Sequence, residues 1–381
     1  MGKTMLQLVS AILHLYLGLR LLPSLLVWPW AAALLGLLLL VSAVAIPAAL
    51  LGRRLGHAPR TRIALAWTGM LAMGWFSSLL VLSVLRDAGL LLLLIASVLV
   101  PGWSIDRWLM PSAWAVLALA TLATAIGAWN ARRTAAVVDV EVPITDLPPA
   151  LHGFTIAQIS DLHVGATIRA AYVHAVVERV NRIGADMVAV TGDLVDGSVS
   201  DLSAHVAPLG RLSSRHGTFF VTGNHEYYSG AQAWIVELRR LNMKVLLNQH
   251  VVLNHDGSDL VVAGVTDHGA HHFDPEQRSD PHAALAGSPI GAAMRLLLAH
   301  QPRAAALASA AGFQLQLSGH THGGQFWPWN LFVRLQQPFT AGLDRLHDLW
   351  VYTSRGTGYW GPPKRFGAPS EITRLRLVRA P

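Results

Sequence analysis

Four long apolar runs in the first third of the chain limit what it can fold into. Residues 6–22, 27–51, 63–85 and 112–129 are almost free of charge. Each approaches the roughly 20 apolar residues that cross a bilayer as a helix. A backbone in hydrocarbon must satisfy its own polar groups, so these runs read as transmembrane helices. The first is not a cleaved signal peptide, because further spans follow with no polar mature segment between them. Residues 88–100 are ambiguous. They are apolar but short and end at Pro101-Gly102. They read as a re-entrant or interfacial helix, or as a short fifth span. Trp28, Trp30, Trp103, Trp108 and Trp114 fall near run ends, where interfacial tryptophans belong.

Charge separates the chain into two parts. Residues 1–133 hold ten Lys and Arg against two Asp and Glu; residues 134–381 hold 19 against 20. The basic excess therefore belongs to the apolar part. The rest lacks the cationic surplus of a nucleic-acid-binding domain, so no nucleic-acid partner is expected. There is no cysteine, which excludes disulfides, thiolate metal sites and Cys nucleophiles. Arg53, Arg54, Arg60 and Arg62 crowd one short loop, which should face the cytoplasm. Lys3 agrees. With four spans, Arg132, Arg133 and all that follows are also inside; with five, they are outside. The arginine pair favours four. Asp87 sits at a run end and reads as a headgroup contact. No row of intramembrane charges marks a transporter.

Residues 134–150 read as a connector closed by Leu147-Pro148-Pro149. A globular pattern then begins. Strands are expected at 154–159, 187–190, 218–221, around Val245 and Val251, and at 260–265, 294–298 and 313–317. Helices are expected at 170–183, 202–212, 231–241 and 303–310. This alternation implies a layered α/β domain.

The strong strands end in residues that can bind metal. In order they are Ser160-Asp161-Leu162-His163, Gly192-Asp193-Leu194-Val195-Asp196, Gly223-Asn224-His225-Glu226, His300-Gln301-Pro302, and Ser318-Gly319-His320-Thr321-His322-Gly323-Gly324-Gln325. Sites in α/β sheets form beyond the carboxyl ends of strands. Five such ends converge on one rim. Carboxylate, imidazole and amide donors without sulfur suit divalent Mn, Fe or Zn. The donors are too many for one ion and suit two, as in sites that clamp both oxygens of an in-line displacement.

On these motifs the chain resembles the calcineurin-like metallophosphoesterase superfamily, whose Asp-x-His, Gly-Asp, Gly-Asn-His, lone His and Gly-His-x-His all stand here in order. The tail, Ser354-Arg355-Gly356 through Pro369-Ser370-Glu371-Ile372, is similar to the bacterial YkuE-like branch, whose members often carry N-terminal membrane segments. The resemblance implies a transmembrane bundle (1–133), the connector (134–150) and a four-layer α/β/β/α sandwich (151–381). It implies that Asp161, His163 and His322 hold one metal, that Asn224, His300 and His320 hold the second, and that Asp193 bridges them. His225 would be catalytic and not a ligand. The expected reaction is hydrolysis of a phosphoester or pyrophosphate by water attacking in line.

Around this set, Asp196 and Glu226 read as groups that orient ligands. Arg355 and Arg365 are candidate phosphate clamps. His268, His271 and His272 read as a solvated loop. Trp327 and Trp329 follow the last ligand motif directly and read either as a core-packing loop or as an apolar, membrane-dipping flap for a lipid-linked substrate. The protein is expected in a bacterial inner membrane. Rival readings are a nuclease or nucleotide phosphodiesterase of the same superfamily, and a non-catalytic membrane sensor or scaffold with a structural metal site. His225 argues against the scaffold, since a structural site has no use for an unliganded catalytic imidazole.

Overall fold

One uninterrupted helix takes up the ambiguous residues 88–99. The computed structural model describes residues 3–51, 59–99 and 104–380. Arg53, Arg54, Pro101, Gly102 and Trp103 lie outside the described residues. Helices α1 (Lys3–Leu21), α2 (Pro29–Leu51), α3 (Pro59–Leu99) and α4 (Asp106–Arg132) are each long and apolar enough to cross a membrane. α3 has 41 residues, about 60 Å at 1.5 Å per residue. Residues 88–99 therefore continue the third helix and do not form a separate fifth one. The apolar pattern broke at Arg86-Asp87, but both charges find partners. Asp87 accepts from Arg20 Nε and Nη2 at 2.9 Å each and from Tyr16 O–H at 2.7 Å. Arg86 donates to Ser112 Oγ and Leu109 O. α2 and α3 approach closely at Gly69, where a Cβ would overlap Ala45 and Ala49. Small residues allow such approach in membrane bundles.

The chain divides into two compact units, residues 1–129 with 361–366, and 130–360 with 367–381. Residues 361–366 thus group with the helices. Lys364 Nζ donates to Gly74 O and to Ser78 Oγ, and Gly127 leaves room for its stem.

The second unit is built on two six-stranded sheets. Its elements are β1 (Ala136–Ile144), β2 (Thr155–Ile159), α5 (Ala170–Asn181), β3 (Met187–Val190), α6 (Val199–Val206), β4 (Thr218–Phe220), α7 (Asn224–Ser229), α8 (Ala231–Arg240), β5 (Met243–Val245), β6 (Gln249–His255), β7 (Ser258–Gly264), α9 (Pro281–Leu285), β8 (Met294–Leu298), α10 (Ala305–Ala310), β9 (Leu315–Ser318), β10 (Gly342–Leu346), β11 (Leu349–Thr353) and β12 (Glu371–Arg379). The first sheet runs β1-β12-β2-β3-β4-β5 and the second β10-β11-β9-β8-β7-β6. Two expectations are corrected. The connector contains β1, an edge strand parallel to β12; its Asp139 and Glu141 masked the strand pattern. The helix expected at 202–212 starts at Val199, capped by Ser198 accepting from Asp201 N–H, and gives way to a 3₁₀ turn at Ala207–Arg211.

Strand alternation creates the layers. Met187, Ala189 and Phe219 of the first sheet share a core with Leu296, Leu298, Leu315 and Leu317 of the second. The alternate residues Val188, Val190 and Phe220 pack under Val176, Trp234 and Leu238 of the helices. Leu297 and Val351 pack under Ala305 and Ala308 of α10. The result is helix, sheet, sheet, helix, as the family resemblance implied. β2, β3, β4 and β5 are parallel, as are β7, β8, β9 and β11. Their carboxyl ends form the rim.

Candidate metal centre

The backbone turns abruptly at each strand end. Asp161 and His163 after β2, Asp193 after β3, and His320 and His322 after β9 all have positive φ, between 51° and 70°. Few non-glycine residues adopt this region, Asp and His more readily than most. Such conformations cost of order 1–3 kcal/mol each and persist where surrounding structure enforces them. Glycine precedes the ligand candidates for a steric reason. A Cβ at Gly319 would overlap Ser160 Oγ and Asp161 Oδ2, and one at Gly223 would overlap Asp193.

The turns bring three donor groups together: Asp161, His163 and His322; Asp193, His300 and His320; and His163, Asp193 and His225. Within each group the donor atoms lie within 4.8 Å of one another. Asp193 belongs to two of them.

Their hydrogen bonds fix which atoms are left for a ligand. Thr191 O can only accept, so His300 carries its proton on Nδ1, 2.8 Å away. Its Nε2 faces Asp193 Oδ2 at 3.2 Å and His320 Nδ1 at 3.2 Å. Burial works against a charge on this ring, but Asp193 beside it lifts His300 well above its ordinary value, so without a cation Nε2 carries the proton that faces Asp193. Likewise His163 Nδ1 donates to Asp196 Oδ1 at 3.2 Å, leaving His163 Nε2 only 3.1 Å from His322 Nε2. Each of these approaches needs a proton or a cation between the two atoms. Asn224 Oδ1 is shut from solvent without any hydrogen-bond partner, a costly state for a buried amide. The residues present therefore fit divalent cations: hard oxygens and imidazoles, with an orphaned carbonyl among them.

Comparison with known proteins agrees. The family model for calcineurin-like phosphoesterase matches residues 154–324. A metallophosphoesterase of Aquifex aeolicus is 32% identical over 224 residues, 58% of this chain and 84% of that protein. The chain belongs to the calcineurin-like metallophosphoesterase family. It is also 41% identical over 274 residues to a bovine transmembrane protein with metallophosphoesterase domain, covering 68% of this chain and 61% of that one. Bacillus subtilis YkuE is 28% identical over 239 residues, 61% and 81% of the two chains. The chain spans about six-tenths of the length of the bovine relative.

Charge is distributed unevenly over this metallophosphoesterase rim. Burial lifts the Asp161 carboxyl above its ordinary value. Burial also opposes ionisation of Asp193, but the facing His300 outweighs it and holds Asp193 well below. Burial together with His300 pushes His320 down to about 3. His225 is pushed the other way. Burial works against its charge, yet the hydrogen bond to Asp196 raises it to about 9. That bond, His225 Nδ1 to Asp196 Oδ1, is 2.6 Å long, and the same oxygen holds His163. Asp196 thus orients a ligand candidate and the catalytic candidate at once. His225 Nε2 lies 4.0 Å from Asp193 Oδ2. Glu226 is fully buried and accepts from the N–H groups of Asp193, Leu194 and Gly223 at 3.0, 2.7 and 2.7 Å.

The structure treats the outer candidates differently. Arg355 packs beside Gly323 of the last motif, with Nη1 bound to Glu371 at 2.8 Å. Arg365 is fully buried and groups with the helices, where its backbone N–H donates to Gly127 O. His268, His271 and His272 join none of the metal-competent groups found among the described residues. Trp327 and Trp329 are each 43% exposed, whereas neighbouring Phe326 is buried. Sequence reasoning missed Trp360. Its ring meets His225 edge-on at 5.8 Å, and its backbone is paired twice with the Gln325 side chain. An aromatic residue in the Gly/Pro-rich Tyr359-Trp360-Gly361-Pro362-Pro363 was the only available signal.

Proposed function

We propose that the chain is a membrane-anchored, dinuclear metal-dependent phosphoesterase acting on a lipid-linked phosphoester. Asp193 carries the reading, since its Oδ2 lies 3.2 Å from His300 Nε2 and 3.8 Å from His163 Nε2, so one carboxylate borders both proposed ligand sets. Asp161, His163 and His322 would hold one ion; Asn224, His300 and His320 the other; Asp193 both. When bound, such ions supply Lewis acidity and stabilise charge developing at phosphorus. The protein's own groups do the rest. Asp196 fixes the His225 ring by its Nδ1–H, so Nε2 can hand a proton to the departing oxygen. Arg355, anchored by Glu371, flanks the last motif and can meet a phosphate oxygen. Glu226 holds the Asp193 turn in place.

The lipid part rests on the segment after Gln325. Trp327, Trp329, Leu331, Phe332 and Leu335 are 43%, 43%, 66%, 51% and 81% exposed. Core residues would not be. Apolar side chains exposed together mark an interaction surface, and tryptophan suits the lipid interface. Four spans return the chain to the side of Arg60 and Arg62, which favours a cytoplasmic domain. The test is Trp327→Ala with Trp329→Ala. Turnover of a lipid phosphoester in micelles should fall several-fold, with a small soluble phosphodiester little changed. Equal loss on both substrates would remove the lipid reading; cleavage of DNA or RNA in preference to either would install the nuclease.

A further inference from the structure

A second basic feature lies on the edge of the first sheet. A cavity of about 460 Å³ opens there, lined by Arg179, Arg182, Arg374, Asp139, Val137 and Ile183 among others. Three guanidinium groups face one carboxylate. The surplus is local, because residues 134–381 carry 19 basic against 20 acidic side chains. None of the lining residues belongs to the metal-competent groups.

The guanidinium groups are held but not used up. Arg179 Nη1 donates to Thr134 O and Ala135 O at 3.2 and 2.9 Å. Arg374 Nε pairs with Asp139 across the β1–β12 register. Arg182 is exposed, and its side chain has no hydrogen bond or ion pair among the described residues. Most of their N–H donors therefore remain available, and guanidinium groups favour the paired oxygens of phosphate.

The unit that holds the pocket begins with the end of α4. The last turn of α4, Asn130–Arg132, belongs to the same compact unit. Ala131 and Ala135 are buried in its core. Thr134 and Ala135, whose carbonyls Arg179 grips, are part of the short link from α4 to β1. From Arg132 to Ala136 the chain can reach at most about 14 Å. Arg132 and Arg133 are exposed on that link. Basic residues so close to a span are drawn to an anionic leaflet.

We propose that this pocket binds the phosphate headgroup of an anionic phospholipid. Arg179, Arg182 and Arg374 take the phosphate oxygens, and Val137 and Ile183 border the glycerol end. The site is separate from the hydrolytic one and stands whether or not that reading does.

Native mass spectrometry of the full-length protein in detergent tests it. Dioleoylphosphatidylglycerol and dioleoylphosphatidylcholine are titrated separately and bound lipid is counted. The wild type should retain the phosphatidylglycerol several-fold better. Arg182→Gln, at an exposed residue, should reduce that preference several-fold, and Arg179→Gln with Arg374→Gln should abolish it. Arg169→Gln, at an exposed arginine outside the pocket, should retain it. Equal binding of the two lipids by the wild type, or an Arg182→Gln variant that binds like the wild type, would overturn the proposal. Inorganic phosphate forms a further arm. Displacement of phosphatidylglycerol by phosphate at equal concentration would mean a free-anion site and would equally overturn the lipid assignment; failure of phosphate to compete supports it.

Discussion

Glu226 holds no metal in the proposed arrangement, yet its loss should be among the most damaging at the rim. Oε2 accepts from Asp193 and Gly223 N–H, and Oε1 from Leu194 N–H. Glu226→Gln replaces one oxygen by an NH₂ group. The better amide orientation keeps the oxygen that takes two bonds and sets NH₂ against Leu194 N–H, donor to donor. One bond to a charged acceptor is lost, about 1.5–3 kcal/mol, and a buried donor is left unsatisfied, about 1–3 kcal/mol. A sum of roughly 3–5 kcal/mol would lower the melting temperature of a unit this size by on the order of 10 °C. Burial, with Asp193 beside it, pushes Glu226 up to about 8, toward the neutral acid. Its hydrogen-bonding neighbours are all donors, however, which is the environment of a carboxylate. The assay is thermal melting of the full-length protein by intrinsic fluorescence, with elemental analysis of bound metal. Both variants, Glu226→Gln and Glu226→Ala, should melt lower and hold less metal. Wild-type melting and metal content in Glu226→Gln beside a damaged Glu226→Ala would show a protonated acid and refute the reasoning; wild-type behaviour of both would remove Glu226 from the rim's support.

Three further outcomes follow from the same geometry. Asp193→Asn should lose turnover and the paired metals together, checked by elemental analysis and a generic aryl phosphodiester with Mn²⁺; two retained metals with wild-type turnover would end the bridging assignment. His225→Ala should keep its metals while kcat falls roughly 10²–10⁴-fold, the usual scale of acid–base help, and a lost metal would make it a ligand instead. Asp348→Cys puts one thiol into a cysteine-free chain at a fully exposed side chain; a membrane-impermeant thiol reagent should leave it unlabelled on intact spheroplasts, and labelling there would place the domain outside.

The ligand candidates were legible because each stands within four residues of a strand end, where pattern and chemistry coincide. What went unread depends on partners distant along the chain. β1 exists because Val140 lies beside Leu375, and no local pattern announces a parallel edge strand rich in charge. α3 was divided in the reading because Asp87 interrupts its apolar run; the charge is tolerable only because α1 delivers Arg20 and Tyr16 to it. Arg365 is fully buried, and its charge gave no sign of that in the sequence. Trp360 touches His225 only because Gln325, 35 positions earlier, clasps its backbone on both sides.

Five left-handed non-glycine residues are not the conformation the rim's own backbone prefers. Something must hold them. The strands do so one step earlier. Gln158 Nε2, buried between the sheets, donates to Thr191 Oγ1 and Ser318 O at 2.9 Å each, tying β2 and the ends of β3 and β9 together. Ser160 Oγ donates to Thr191 O, and Ser318 Oγ to Ala299 O. Gln158, Ser160, Thr191 and Ser318 each stand within three residues of a left-handed turn residue. The apolar core between the sheets therefore fixes where the turns begin, and the turns fix where the donors point. Bound cations would take the place of the protons these donors otherwise share. This ordering assigns rigidity to the sheets and affinity to the strain they impose: the donors are preorganised at a cost already met by the core, so little further ordering is needed when metal binds.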